Sequence, residues 1–273
     1  MFDLDRWQEI FQTLSKNKLR TALSGFTIAF AILLFTLLFG VGNGLKHTFE
    51  KQFASGAVNS VYIYGGRTTK PYKGLQSGRS IQYRNDDEKF INEKFEKEIQ
   101  FFSPNIQRSM QVIYKGEQNR YTVRGVYPDY QPLESSVIQD GRFLTYLDIE
   151  RRAKVVAIGR LVEIDLFGSL SALGKNLNIE GISYKVVGVF NDPGGDNDER
   201  YIYAPFSTIQ GMYKPNDEVD YFGLTFNSKL SVDEALAFSN LLTKVLKEKH
   251  NIDPRDQSAI RVRNYAEGTK NVQ

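Results

Sequence analysis

The sequence predicts an α+β fold in which an N-terminal transmembrane helix precedes a larger mixed domain. Near the N-terminus stands one long segment that is uncharged and almost wholly apolar. After it, short β-type runs alternate with amphipathic helical stripes. Two strand–helix–strand units flank a segment that is rich in short strands, and this organisation predicts an α+β architecture.

The apolar segment is long enough to cross a membrane. Residues 21–45 carry no charged side chain, and the 22–41 stretch is almost entirely apolar. Twenty helical residues rising about 1.5 Å each span the ~30 Å hydrocarbon core, so we predict a transmembrane helix over 21–45. A cleaved signal peptide is disfavoured because its apolar region is only about 7–15 residues long. The predicted transmembrane residues are Ala22, Phe30, Leu34, Phe35, Leu38 and Val41.

The first twenty residues predict a cytoplasmic amphipathic helix at the membrane interface. Apolar side chains recur at helical spacing among polar ones, which is typical of a helix lying in the interface. Packing on a partner protein is the other interpretation, and the two are compatible. Basic residues are more numerous before the span than just after it, so the N-terminus is expected in the cytoplasm and the main domain outside it. The predicted interface residues are Trp7, Phe11, Leu14, Lys16, Lys18 and Arg20.

The first strand–helix–strand unit follows the span. Residues 61–64 form a β-type run that ends at a Gly-Gly pair. Asn85 and Asp86 are candidate caps for a helix that Ser103-Pro104 would stop. Residues 111–114 and 120–127 are predicted strands joined by a turn. The predicted stripe of the helix is Ile91, Phe95, Ile99 and Phe102.

The second unit repeats this pattern near the C-terminus. Residues 222–226 predict a strand, and Ser231 with Glu234 forms a capping-box pattern before a helix that ends ahead of Pro254. Its apolar stripe is Ala235, Phe238, Leu242 and Val245. A closing strand at 260–262 completes the unit. Two such units on one sheet predict a ferredoxin-like layer, formed by residues 46–129 and 219–273.

Between the two units, residues 130–218 predict an inserted β-rich subdomain. Four short β-type runs and several glycine turns dominate it, and little helix is expected beyond residues 162–167. The predicted strands are 155–158, 177–179, 184–190 and 201–204.

Composition and motifs argue against catalytic chemistry. The 273 residues include no cysteine, which excludes thiolate metal sites and cysteine nucleophiles, and the net charge of +3 gives no reason to invoke nucleic acid. His47 and His250 stand in no ligand-spaced cluster, so we interpret both as solvated or interfacial. The acidic loop 191–200 could hold calcium but is more often simply solvated. We therefore expect no enzyme activity, no metal and no cofactor.

Several motifs resemble those of one transporter family. Residues 16–44, with the opening KNKLRTAL and the closing GVGNG, resemble the first membrane helix of MacB-type (MacB/FtsX-like) ABC transporter permeases. The stretches GRFLT with Asp148, KVVAIG, LGK and YAPFST then follow in family order, so the resemblance covers nearly the whole chain. Most of these matches mark turns and strand ends. The matching fold positions are Gly141, Arg142, Phe143, Asp148, Gly159, Gly174, Gly188 and Pro205.

The resemblance implies an architecture and a function. It implies a ferredoxin-like porter unit, an inserted sabre subdomain at 130–218, and a place in the bacterial inner membrane with the main domain in the periplasm. Permeases of this family act as dimers, and their periplasmic domains move in response to an ABC ATPase. They can hand cargo to a periplasmic adaptor. The ATPase is expected to be a separate subunit, because the sequence has no Walker motif. Family permeases continue with three more membrane helices, so the chain matches their N-terminal part.

Two other functions stay open at this point. FtsX-like relatives share the layout but regulate cell-envelope hydrolases instead of moving cargo. A single-pass anchored binding or sensor module would also explain one span and one external domain. The leading hypothesis is a permease subunit that couples ATP hydrolysis to movement of its periplasmic domain for export or efflux.

Overall fold

A computed structural model describes residues 17–54, 60–192, 198–226 and 232–264. The chain divides into two compact units, residues 1–51 and 52–273, which are described separately. The first unit holds helix α1, Lys18–Ala54. Within it Lys18–Gly42 forms a stretch of 25 residues with a mean hydropathy of 2.3, long and apolar enough to cross a membrane. The predicted interfacial residues Trp7, Phe11, Leu14 and Lys16 lie outside the described residues.

The second unit mixes short helices and strands. Its α-helices are α2 (Asn85–Phe95), α3 (Tyr130–Glu134), α4 (Tyr146–Glu150), α5 (Arg160–Phe167), α6 (Phe206–Tyr213) and α7 (Val232–Lys249). Its strands are β1 (Ser60–Gly65), β2 (Tyr83–Arg84), β3 (Ile99–Tyr114), β4 (Glu117–Val126), β5 (Val137–Gly141), β6 (Val155–Gly159), β7 (Asn176–Ile179), β8 (Ile182–Asn191), β9 (Tyr201–Pro205), β10 (Glu218–Val219), β11 (Tyr221–Phe226) and β12 (Ile260–Asn264). Helices accompany strands that pair mostly antiparallel, which confirms the predicted α+β fold.

Four strands build the ferredoxin-like layer. They lie in the order β12–β1–β11–β3, and each neighbouring pair is antiparallel. Helix α2 stands between β1 and β3 in the chain, and α7 stands between β11 and β12. The two helices bury apolar faces in one core, where the rings of Phe95 and Phe238 meet edge to face at 5.0 Å. The order 4-1-3-2 of this βαββαβ arrangement is that of the predicted ferredoxin-like layer.

The chain enters and leaves this layer at one end of the sheet. Strand β1 begins at Ser60, β12 ends at Asn264, and the two strands are neighbours with Val61 opposite Asn264. Because the pairing is antiparallel, the first residue of one strand lies beside the last residue of the other. The start of the first described strand and the end of the last described strand of the unit therefore lie side by side.

The remaining strands close into a ring. Pairings run β3–β4, β4–β9, β9–β6, β6–β8, β8–β7 and β7–β3, so six strands form a closed circuit, and β5 is added beside β8. Closure leaves these six strands with few unpaired backbone edges. Strand β3 belongs to both parts, because its first half pairs with β11 and its second half with β4. The division at residues 130 and 218 stays a prediction.

The predicted extension of helix α2 through Ile99 and Phe102 is wrong. The helix ends at Phe95, and both residues lie in strand β3, where Phe102 is opposite Leu224. Their spacing fits a helical stripe, but pairing with β11 favours the strand and overrides local propensity. Strand β3 pairs with β4 only from Ile106 onward, so one side of β3 has no partner strand at Pro104. A proline, which has no backbone N–H, is tolerated at such a position.

The expectation of little helix in residues 130–218 is also wrong. Besides α5, this segment forms α3, α4 and α6, each of five to eight residues. Helices this short show barely two turns of periodicity and are held by tertiary contacts more than by propensity. The predicted strands 155–158, 177–179, 184–190 and 201–204 all fall within strands of the structure. The capping residue Ser231 lies outside the described residues.

Candidate functional site

Helix α1 presents an apolar surface on every side of its described part. All six predicted transmembrane residues are exposed, and no residue of the candidate span is buried within the protein. Its few hydroxyls bond back to the helix: Thr27 Oγ1 donates to the Leu23 carbonyl at 2.7 Å and Thr36 Oγ1 to the Ile32 carbonyl at 2.8 Å. Internal hydrogen bonds of this kind are what a hydrocarbon environment requires of polar groups. Lys18 and Arg20 mark its exposed N-terminal end.

The GRFLT stretch and Asp148 form a compact polar clamp, which we define as Arg142, Thr145 and Asp148. The carboxylate of Asp148 accepts two bonds from Arg142, with Nη1 at 2.7 Å and Nη2 at 3.1 Å, and one from the Thr145 backbone N–H at 2.8 Å. Thr145 caps helix α4 reciprocally. Burial pushes the pKa of Asp148 upward, but these hydrogen bonds outweigh burial and leave the pKa below its usual 3.8.

Two of the motif glycines let backbone segments approach closely. A Cβ on Gly188 would collide with the backbone of Arg142, and one on Gly159 would collide with the backbone of Glu199. Gly141, at φ +74°, adopts a conformation that glycine tolerates best. Beside it, Phe143 packs edge-on against the Tyr203 ring at 5.7 Å. Gly141 and Gly188, which are opposite each other, therefore fix how strands β5 and β8 meet.

The other motif positions lie at strand and turn junctions. Gly174, at φ +76°, donates its N–H to the Val186 carbonyl at 2.9 Å. Pro205 ends β9 and stands at the N-cap of α6. The structure thus brings Gly141, Arg142, Phe143, Asp148 and Gly188 together, and places Gly159, Gly174 and Pro205 at separate points of the same domain.

We expect Asp148→Ala to destabilise the protein by about 2–3 kcal/mol, because the substitution removes charge-assisted hydrogen bonds and one half of a capping box. Chemical denaturation followed by circular dichroism measures this loss. Glu150→Ala on the same helix removes an exposed carboxylate and should change stability by less than about 0.5 kcal/mol. Equal effects of the two substitutions would contradict a stabilising role for the clamp.

A second polar cluster, missed by the sequence analysis, joins the two helices of the ferredoxin-like layer. Asp87, near the start of α2, is 3% exposed and accepts bonds from Lys249 Nζ at 2.5 Å and His250 Nε2 at 2.9 Å at the end of α7. The backbone N–H of Arg84 bonds its second oxygen at 3.0 Å. His250 also lies edge-on against Tyr83, so the interpretation of His250 as a solvated side chain is corrected. The partners are 163 positions apart, a separation that local patterns do not reveal.

The Asp87 cluster should make stability acid-sensitive. Burial raises the pKa of Asp87, but hydrogen bonds from His250 and Lys249 outweigh burial, and the pKa lies below its usual 3.8. A depressed carboxyl pKa contributes stability that is present above the unfolded pKa and is lost as the pH falls through the folded pKa. We expect Asp87→Asn to weaken this loss below about pH 4 and to cost about 2–3 kcal/mol at neutral pH.

Stability measured from pH 7 down to pH 2 tests this expectation. The exposed neighbour Asp86 supplies the control, because Asp86→Asn removes the same charge without these partners. Parallel pH profiles of wild type and Asp87→Asn would show that the cluster is not responsible.

A further buried carboxylate anchors the loop after β1. Asp256 is fully buried and accepts bonds from the Thr69 backbone N–H at 2.6 Å, the Lys70 backbone N–H at 3.1 Å and the Ser258 backbone N–H at 3.1 Å. Arg79 from the same loop donates to the carbonyl of Asn251 at 2.9 Å. The 66–82 loop is therefore tied to the segment between α7 and β12.

The acidic loop offers no assembled metal site among the described residues. Asp192 accepts a bond from Ser136 Oγ at 3.1 Å, and Glu199 pairs with Arg160 at 2.6 Å. Asp196 lies outside the described residues. In the described part of the chain, no three His, Asp or Glu side chains are grouped as metal ligands. The polar clusters of the domain stabilise its packing, and the remaining feature of the described chain is an apolar helix followed by a mixed helix and strand domain.

The family model of the MacB-like periplasmic core domain matches residues 21–237 of the chain. The chain belongs to this family. It is 26% identical over 262 residues to the macrolide export ATP-binding/permease protein MacB of Bdellovibrio bacteriovorus, covering 94% of this chain and 40% of that protein. It is 24% identical over 264 residues to the pyoverdine export ATP-binding/permease protein PvdT of Pseudomonas entomophila, covering 94% and 39%. The chain thus spans about 40% of the length of these relatives.

Solved structures agree on the fold. The periplasmic region of MacB from Actinobacillus actinomycetemcomitans matches with a TM-score of 0.64 at 18% identity, covering 81% of this chain and 95% of that structure. The extracellular domain of the ABC-type transporter YknZ from Gram-positive bacteria matches with a TM-score of 0.60 at 18% identity, covering 76% and 100%. The predicted MacB-type resemblance is confirmed, and an N-terminal apolar helix joined to a MacB-like periplasmic domain fits an inner-membrane protein.

Proposed function

We propose that the chain is the N-terminal part of a MacB-like ABC transporter permease. In this role it couples ATP hydrolysis by a separate cytoplasmic ATPase to movement of the periplasmic domain during export. Its N-terminus lies in the cytoplasm, and the domain beginning at Ser60 lies in the periplasm. A second permease copy completes the transporter, and an adaptor protein is a further partner. The names of the relatives, which export macrolides or pyoverdine, support an export role without identifying this protein's cargo.

The observation that carries the proposal is where the chain enters and leaves its domain. Strand β1 follows the apolar helix after only five residues, 55–59. The end of β12 lies directly beside the start of β1. A domain whose two chain ends meet at one edge suits insertion between two neighbouring membrane spans. Both spans would then act on two adjacent strands of one sheet, and the sheet continues through β3 into the strand ring. Such a continuous hydrogen-bonded path could transmit movement from the membrane to the far part of the domain.

Affinity purification from native membranes tests the class of protein. We expect an ABC ATPase to copurify in equimolar amount. A cell-wall hydrolase bound alongside the ATPase would instead favour an FtsX-like regulator. Absence of any ATPase, as a subunit or as a fused segment, would contradict the permease proposal and favour an anchored binding module.

Movement of the domain can be tested separately, because the chain has no cysteine. Glu117→Cys places one spin label at the exposed first residue of β4, next to the turn that follows β3. In the assembled transporter we expect the distance between the labels of the two permease copies to change between ATP-bound and nucleotide-free states. An ATPase variant that cannot bind ATP is the control. Identical distance distributions in all states would contradict mechanical coupling.

A further inference from the structure

Among the described residues, the buried side chain of Lys247 in the last turn of α7 has one hydrogen-bond partner. The residue is 8% exposed, and its Nζ donates to the Pro254 carbonyl at 3.1 Å. An ammonium group carries three donors. Among the described residues it forms no ion pair with a carboxylate. Lysine is almost never buried unless its charge is paired, so this arrangement lacks a counter-charge.

The carboxylates in the adjacent loop are committed to other groups. Asp253 bonds Arg255 through both oxygens, at 3.1 and 3.2 Å. Asp256 accepts the backbone N–H groups of Thr69 and Lys70. Because both carboxylates are bonded in this way, neither of them pairs with the ammonium group of Lys247.

A cavity of about 200 Å³ opens beside this ammonium group. It is lined by Asn240, Thr243, Lys244, Lys247, Glu248 and Pro254. Two lysines face one exposed glutamate, so the lining carries a net positive charge. At about 30 Å³ for each water-sized group, the volume accommodates a group of several heavy atoms.

We propose that this cavity binds a small anionic oxygen group, a carboxylate or a phosphate, with Lys247 as its principal contact. The bound anion would supply the counter-charge that the protein lacks there, and charge-assisted bonds from an ammonium to such oxygens are among the strong hydrogen bonds of proteins. Lys244 and the Asn240 amide add donors at the rim. The proposal rests on the cavity and on Lys247, and it is independent of the transport role.

The cavity lies on the half of α7 that is remote from the sheet end where the chain enters and leaves. Asn264 Nδ2 bonds Ser239 Oγ at 3.0 Å, so Ser239 lies near the sheet end where the chain enters and leaves. The cavity lies on the part of α7 that follows Ser239 and runs away from that end. A soluble solute and a lipid headgroup can both supply such oxygens, and the experiment below distinguishes the two sources.

Thermal unfolding of the full chain in a neutral detergent tests the proposal. The probes are inorganic phosphate and acetate, each compared with chloride at equal ionic strength, and phosphatidylglycerol added to the micelles. We expect phosphate or acetate at a tenfold excess over its Kd to raise the melting temperature by about 3–6 °C. Lys247→Met should abolish this rise. Lys175→Met, which removes an exposed charge elsewhere, should preserve it.

Stability without anion provides a second readout that does not depend on the choice of probe. Because methionine keeps the apolar stem and removes an uncompensated charge, Lys247→Met should melt at the same temperature as wild type or higher in chloride. A lower melting temperature would show that the Pro254 contact alone explains the lysine and would overturn the proposal. So would anion effects that are equal in all three proteins, or the lack of any probe effect that depends on Lys247. A rise with phosphatidylglycerol alone would retain the anion site and assign it to a lipid headgroup.

Discussion

Gly188→Ala is expected to destabilise the protein by about 3 kcal/mol or more, because the added Cβ would meet backbone atoms that cannot move aside. The new atom would lie 2.8 Å from the carbonyl carbon of Arg142 and 3.1 Å from its backbone nitrogen. Relief would require strand β8 to separate from the segment that follows β5, which would also disturb the clamp at Asp148. Chemical denaturation of the purified protein measures the change in the free energy of unfolding.

Two other glycines separate this effect from the general consequences of adding a methyl group. Gly174 has φ +76° and nothing within 4 Å of a built Cβ, so Gly174→Ala should cost only the strain of a left-handed backbone, about 1–2 kcal/mol. Gly211 lies in helix α6, where its closest such contact is Arg152 Nη1 at 3.6 Å. Gly211→Ala should therefore stabilise that helix by up to about 1 kcal/mol. Any ranking in which Gly188→Ala is not the most damaging contradicts the close-approach argument.

The fold was predictable from the sequence wherever a pattern was long and local. The apolar stretch 22–41 and the stripe Ala235–Val245 each repeat one signal over several turns, and both form the expected helices. Ile99 and Phe102 also fit a helical stripe, yet they lie in β3 because β11, more than 115 positions later, supplies their partners. Periodicity alone cannot weigh a strand partner that is so distant in the chain.

The polar clusters were less predictable than the fold. Arg142 and Asp148 are six positions apart, so a local motif indicated that they belong together, although it did not show that they form a clamp. No sequence pattern indicates the contact between Asp87 and His250, because each is an ordinary polar residue beside a helix end. The closed ring of strands is likewise set by pairings such as β3 with β7, which involve only two residues of each strand. Such short, non-local contacts leave no periodic trace in the sequence.

Leu34→Arg combined with Phe35→Arg is expected to prevent stable membrane insertion of the chain. Each arginine near the centre of a span costs about 2.5–3.5 kcal/mol, so the pair would cost about 5–7 kcal/mol if the effects add. Both side chains are exposed, Leu34 at 43% and Phe35 at 70%, and would face lipid in an inserted helix. Membrane fractionation followed by alkaline extraction gives the inserted share of the protein.

Leu19→Arg is the matched control, since it adds the same charge to the same helix at its exposed end. An arginine there can extend to the headgroup region, so insertion should be retained. If the double variant fractionates with membranes as wild type does, α1 does not span the bilayer, and the proposed permease arrangement fails with it. If insertion is lost while denaturation of the domain from Ser60 onward is unchanged, the apolar helix anchors a domain that folds independently of it. A transmitted movement would then have to pass through the short connection at 55–59 and the adjoining edge of β1 and β12.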